Sequence, residues 1–304
     1  MLSRLAARIA VIAASITWFV PAVSQATLNV LACEPEWAAL ASEIGGDRLT
    51  IYSATTSMQD PHHIQARPSL IAKARRADLL VCTGAELETG WLPLLLRKAN
   101  NGDIQPGKPG YFMAADYVDM LEVPVKVDRS HGDVHASGNP HIHTDARNML
   151  PVAAALVQHL KTLDSENAEY YSNRYDAFRT VWEAKLEEWK QRAMPLEDVN
   201  IVAHHNFWPY MNRWLGLIQV DTLEPLPGVT PSSSHLAAVK KHVAERGVSV
   251  IIRVGYANER PANWMSSQTG LPVVTLPASV DFHSGQKLDE WYDTLITSMI
   301  NRPQ

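Results

Sequence analysis

Residues 165–194 run without a proline or a glycine, so nothing in that stretch interrupts an α-helix about 45 Å long. Tyr171, Tyr175, Phe178, Trp182, Leu186, Trp189 and Ala193 recur three or four positions apart and make one apolar stripe. Asp164 or Ser165 can cap the start, and Pro195 ends the run. Glu188 and Arg192 stand at a favourable i,i+4 spacing on the polar side. Strands alternate with helices on either side of this stretch, and histidines stand at strand ends in both flanks. A helix of this length between two such flanks reads as a spine joining two lobes.

The first 26 residues read as a cleavable signal peptide. Arg4 and Arg8 form a basic start, residues 9–20 form an apolar core too short to span a bilayer, and Ser24-Gln25-Ala26 offers a small-x-small cleavage site. Roughly 280 residues then remain, enough for two modest domains. Cleavage removes two of the 27 basic residues and none of the 32 acidic ones, so the net charge becomes more negative than −5. With no basic run left, nucleic acid is not expected as a partner. An exported, soluble, monomeric protein of the periplasm is the expectation. Val30-Leu31-Ala32-Cys33 faintly resembles a lipoprotein box, but it lies past the apolar core and inside the first expected strand. The two cysteines, Cys33 and Cys82, each end a strand. An oxidising compartment invites a disulfide between them, yet both also read as small buried apolar residues.

Strands are expected at residues 28–32, 49–53, 78–82, 123–127, 199–203, 217–223, 248–254 and 273–276. Helices are expected at 34–44, 68–76, 90–99, 147–160, 234–245, 262–269 and 287–300, besides the long one. The rhythm implies an α/β fold of parallel sheets flanked by helices, with ligands gathered at the carboxyl ends of the strands. The divisions are residues 27–163 for an amino-terminal lobe, 164–195 for the linking helix and 196–304 for a carboxyl-terminal lobe.

Most of the 12 histidines lie in or beside four polar segments: 59–63, 139–143, 203–205 and 281–283. Neutral imidazole is the commonest zinc ligand, and three histidines with a carboxylate or water complete a tetrahedral set. No HExxH or CxxC pattern is present, so such a site would draw on well-separated segments.

Gly45-Gly46-Asp47, QDPHHIQARPS at 59–69 and ADLLVCTGAELETGWL at 77–92, with GNPHIHTD at 138–145 and VAHHNFWPY at 202–210, together resemble the metal-binding proteins of ABC importers, the periplasmic zinc and manganese carriers. The resemblance covers the mature chain and implies two α/β lobes joined by one rigid helix, with the metal buried between them. It implies His62, His141 and His205 as ligands, with Asp281 in the fourth position. His204 competes with His205, and His283 or water competes with Asp281, because Phe282-His283 departs from the glycine usual after that acid. His63 and His143 are read as supporting or surface residues, and His143→Ala as nearly silent. His131, Asp133 and His135 fall in a loop that zinc members use to gather metal.

Three imidazoles and a carboxylate suit zinc better than manganese. The expected function is high-affinity capture of zinc (Zn2+) and its delivery to an ABC-type permease in the inner membrane, with a metallochaperone as a further partner. The alternatives are a manganese-binding member of the same fold and, in a different class, a zinc hydrolase with Asp281 as base. Four protein ligands leave no open coordination position, so no enzyme is expected.

Overall fold

The computed structural model describes residues 27–125 and 135–303. The expected signal peptide, His131 and Asp133 lie outside the described residues. Two four-stranded parallel sheets are built, one from chain before the long helix and one from chain after it. The first contains β1 (Leu28–Ala32), β2 (Leu49–Ser53), β3 (Leu79–Cys82) and β4 (Tyr111–Met113), in the order β2-β1-β3-β4. The second contains β5 (Asn200–Ala203), β6 (Ile218–Thr222), β7 (Val250–Val254) and β8 (Val273–Leu276), in the order β6-β5-β7-β8. Each sheet therefore repeats one winding, and each first strand pairs with two neighbours.

The helices are α1 (Pro35–Gly45), α2 (Pro68–Ala74), α3 (Leu92–Ala99), α4 (Met149–Leu163), α5 (Ala168–Ala193), α6 (Pro209–Leu215), α7 (Ser233–Arg246), α8 (Arg260–Thr269) and α9 (Leu288–Ile300). Two expectations fail. Residues 123–125 form no strand, and Val123 and Val125 are exposed. The fourth strand is instead the three-residue β4, whose Phe112 and Met113 are buried against β3. α6 was also not expected. Pro209 opens it and Gly216 closes it in the left-handed region, which glycine adopts without strain.

The spine is α5, flanked by 3-10 turns at Ser165–Asn167 and Met194–Leu196. Tyr171, Phe178, Trp182, Trp189 and Ala193 of the stripe are buried, and Tyr175 and Leu186 partly so. The polar-side pair is made, with Arg192 3.3 Å from Glu188. Before the second sheet begins, α5 is tied to α1: Arg174 donates to Glu43 O at 2.9 Å. Near its other end Trp189 Nε1 donates to Asp293 of α9 at 2.8 Å. One apolar cluster runs from β1 and α1 through α4 and α5 to β5, β7 and α9, so the two halves share a core.

Cys33 and Cys82, at the ends of neighbouring strands β1 and β3, are joined by a disulfide, with Cα atoms 4.7 Å apart. Beside it lie two buried carboxyls. Glu88 accepts from Thr83 N–H at 2.8 Å and from Gly84 N–H, and Glu34 accepts from the Thr83 hydroxyl at 3.1 Å. Burial pushes Glu34 well up and Glu88 to about 7. A carboxyl raised in the folded state adds stability below its unfolded pKa of 4.5, and that stability is lost as pH rises through about 7. Glu88→Gln should therefore be close to neutral at pH 5 and should raise the melting temperature at pH 8. Equal shifts at both pH values would contradict a carboxyl that is protonated at pH 5 and ionised at pH 8.

Candidate metal centre

The candidate ligands stand on loops that leave the carboxyl ends of parallel strands. β2 feeds the 54–63 loop, whose 3-10 turn Pro61–His63 is capped by Asp60 accepting from His62 N–H at 3.0 Å. Trp91 Nε1 pins that turn by donating to Pro61 O at 2.9 Å. β5 ends at Ala203, so His204 and His205 follow at once. His141 comes from the segment ahead of α4, where its N–H donates to the Asn139 side chain at 3.0 Å. Asn139 in turn donates to Asn206 O at 2.9 Å, and the Tyr210 hydroxyl donates to Asn139 O at 2.9 Å. Two of the sequence motifs are thus bonded to each other through residues that carry no metal chemistry.

The rings of His62, His141 and His205 converge, with centroids 5.9, 6.4 and 5.5 Å apart pairwise. His141 Nε2 stands 3.4 Å from His205 Nε2. His62 Nε2 stands 3.2 Å from Nε2 of His135, a residue read from sequence only as part of a loop. Two nitrogens bound to one tetrahedral zinc at 2.0–2.1 Å lie about 3.3 Å apart, so both pairs have the spacing of a coordination edge. Burial pushes the His141 imidazole well below its ordinary value, and the neighbouring His205 and His62 rings push it the same way. It is therefore held neutral, the form that ligates.

Asp281 stands apart from this set. It is exposed, and its carboxylate caps the 3-10 turn Phe282–Ser284 by accepting from Ser284 N–H. His283 is exposed as well. His204 is buried, with its Nε2 3.6 Å from Glu224. Burial lowers its pKa, an effect that Glu224 opposes. His63 is surface-exposed, as read from sequence. His143 is not: only 3% of it is accessible, and its Nε2 donates to Ala278 O at 3.0 Å. His143→Ala is thus expected to destabilise the protein, since it leaves buried polar groups unpaired.

Two carboxylates hold the outer nitrogens. Asp60 accepts from His62 Nδ1 at 2.8 Å, and Glu224 accepts from His205 Nδ1 at 2.8 Å. Burial pushes the Asp60 carboxyl up, but the hydrogen bond and charge of His62 outweigh it and hold the group below the usual carboxylate range. Each contact fixes the Nδ1–H tautomer and leaves Nε2 free for an ion. No sequence motif marks Glu224; only its place just past β6, next to the strand end that carries His205, could have suggested it. Glu224→Gln is expected to cost about 10–100-fold in zinc affinity, measured by competition with a chromogenic chelator. A cleft of about 420 Å³ opens beside these groups, lined by Met58, Asp60 and His62 on one side and His205, Glu224 and Tyr256 on the other.

The family model for the zinc-uptake complex component A, periplasmic, matches residues 30–301. The chain belongs to this family. Its members are substrate-binding components of metal ABC importers rather than enzymes, so the hydrolase alternative is set aside. The metal substrate-binding lipoprotein SloC of Streptococcus mutans is 22% identical over 81% of this chain and 79% of its own length. The manganese substrate-binding lipoprotein PsaA of Streptococcus pneumoniae is 23% identical over 81% of this chain and 78% of its own. A crystal structure of ZnuA superposes with a TM-score of 0.76 at 19% identity, over 91% of this chain and all of that one. Membership makes this an extracytoplasmic protein with a metal ion as cargo and a membrane permease as partner.

Proposed function

We propose that the chain captures zinc, through His62, His141, His205 and His135, and hands it to its permease. The carrying observation is the convergence of the three rings together with two nitrogen–nitrogen spacings, 3.4 Å for His141–His205 and 3.2 Å for His62–His135, each close to the edge length of a zinc tetrahedron. An all-imidazole set favours zinc over manganese, which prefers oxygen donors, although PsaA among the relatives is named for manganese. His135 replaces Asp281 in the fourth position, because the Asp281 carboxylate is exposed and engaged with Ser284.

The test is elemental analysis of protein purified without added metal, followed by competition among zinc, manganese and copper. Retained zinc that manganese cannot displace is the expected result; manganese displacing zinc would overturn the choice of metal. In the same assay His135→Ala should weaken zinc binding more than Asp281→Ala, and the reverse order would restore Asp281 as the ligand.

The relatives SloC and PsaA are lipoproteins. Here Cys33 follows β1 and is buried in its disulfide, so its sulfur is not open to acylation. That supports export through a cleaved leader and a free periplasmic form. Labelling with a fatty-acid analogue should leave the protein unmodified.

A further inference from the structure

Glu36 lies in the first turn of α1, and only 1% of it is accessible. Its two carboxylate oxygens face different parts of the chain. Oε1 stands 3.3 Å from His143 Nδ1, and Oε2 accepts a short hydrogen bond from the Ser279 hydroxyl. The other nitrogen of His143 donates to Ala278 O at 3.0 Å, so one imidazole touches both halves of the molecule. α1 packs on the first sheet, while Ala278 and Ser279 follow β8 of the second. The Tyr292 hydroxyl of α9 adds a bond to His143 O at 2.6 Å. All of these groups are buried.

The network touches the metal centre without belonging to it. His143 is two residues from His141, and Phe207 stacks on the His141 ring at 4.0 Å while meeting His143 edge-on at 5.6 Å. Trp291 stacks on His143 from another side at 5.7 Å. These groups are almost wholly buried, so parting the halves would break the carboxylate–hydroxyl and imidazole–carbonyl bonds together. Such bonds resist separation in concert rather than one at a time.

We infer that Glu36, His143 and Ser279 are positioning residues forming a latch between the two halves, which slows the opening through which bound metal escapes. The inference rests on the metal-capture reading above. It assigns the latch to retention: the ion enters and leaves by one route beside His62 and His205, and the latch stabilises the closed, loaded geometry against the small opening that precedes release.

The test uses the full mature chain and zinc alone, with association and dissociation followed separately by rapid mixing against a chelator. Ser279→Ala and Glu36→Gln are expected to release zinc about tenfold faster or more, with association unchanged. Ser279→Thr keeps the hydroxyl and should release at close to the native rate. Unchanged release in both disrupting variants, with only a lower melting temperature, would overturn the latch and leave a packing role. If the native protein takes up no zinc, the capture reading fails instead. The latch is then judged on metal-free protein by amide hydrogen exchange over residues 34–38 and 277–284. Ser279→Ala must quicken that exchange, and an unchanged rate would overturn the latch.

Discussion

Zinc affinity of the His141→Ala protein is expected to fall by more than about 100-fold, the upper end of what losing an outer hydrogen-bond partner costs. His141 is the most enclosed of the three converging rings, at 2% accessible, and its Nε2 faces His205 directly. Alanine leaves a gap on the buried side of the site. The stability readout should agree. The native protein gains about 4 kcal/mol when free zinc is a thousand times Kd, because only the folded state has the site. The variant should show no zinc-dependent rise in melting temperature over the same range. A His141→Ala protein that still bound zinc within tenfold of native would place the ion elsewhere.

The second large effect concerns the staple between Cys33 and Cys82. Their bond closes a loop with a sequence separation of 49, and the chain-entropy model gives such a loop about 4 kcal/mol. Replacing both cysteines with alanine should lower unfolding free energy by an amount of that order in denaturant titration of metal-free protein. Both positions lie at strand ends in the first sheet, so the loss should fall on β1 and β3 and on the buried carboxyls beside them. A double variant as stable as native would mean that the bridge only accompanies a sheet already fixed by its neighbours.

Periodicity carried much of this fold. The stripe on α5 marked its buried face because a helix of that length repeats the pattern seven times, and chance does not. β4 escaped notice because three residues cannot display alternation, and the valines at 123 and 125 imitate a strand where no neighbour is available to pair. The convergence of His62, His141 and His205 was legible through the residues around them. His143 was read as a supporting or surface residue whose loss is nearly silent, because its neighbours in sequence do not reveal that the 3-10 turn at Ile142–Thr144 carries its ring to Ala278. Glu224 and Glu36 lie far along the chain from the histidines they meet, and no local pattern encodes such a pairing. The closeness of His135 to His62 depends on how a loop folds back across 73 positions, which spacing alone does not specify.

The bonds from α5 to both α1 and α9 have a consequence for signalling. A strut fastened at both ends cannot serve as a wide hinge, so the arrival of one ion has little large-scale motion to trigger. The permease would have to tell a laden carrier from an empty one by the contour of a few surface segments around the cleft mouth, reading texture rather than shape.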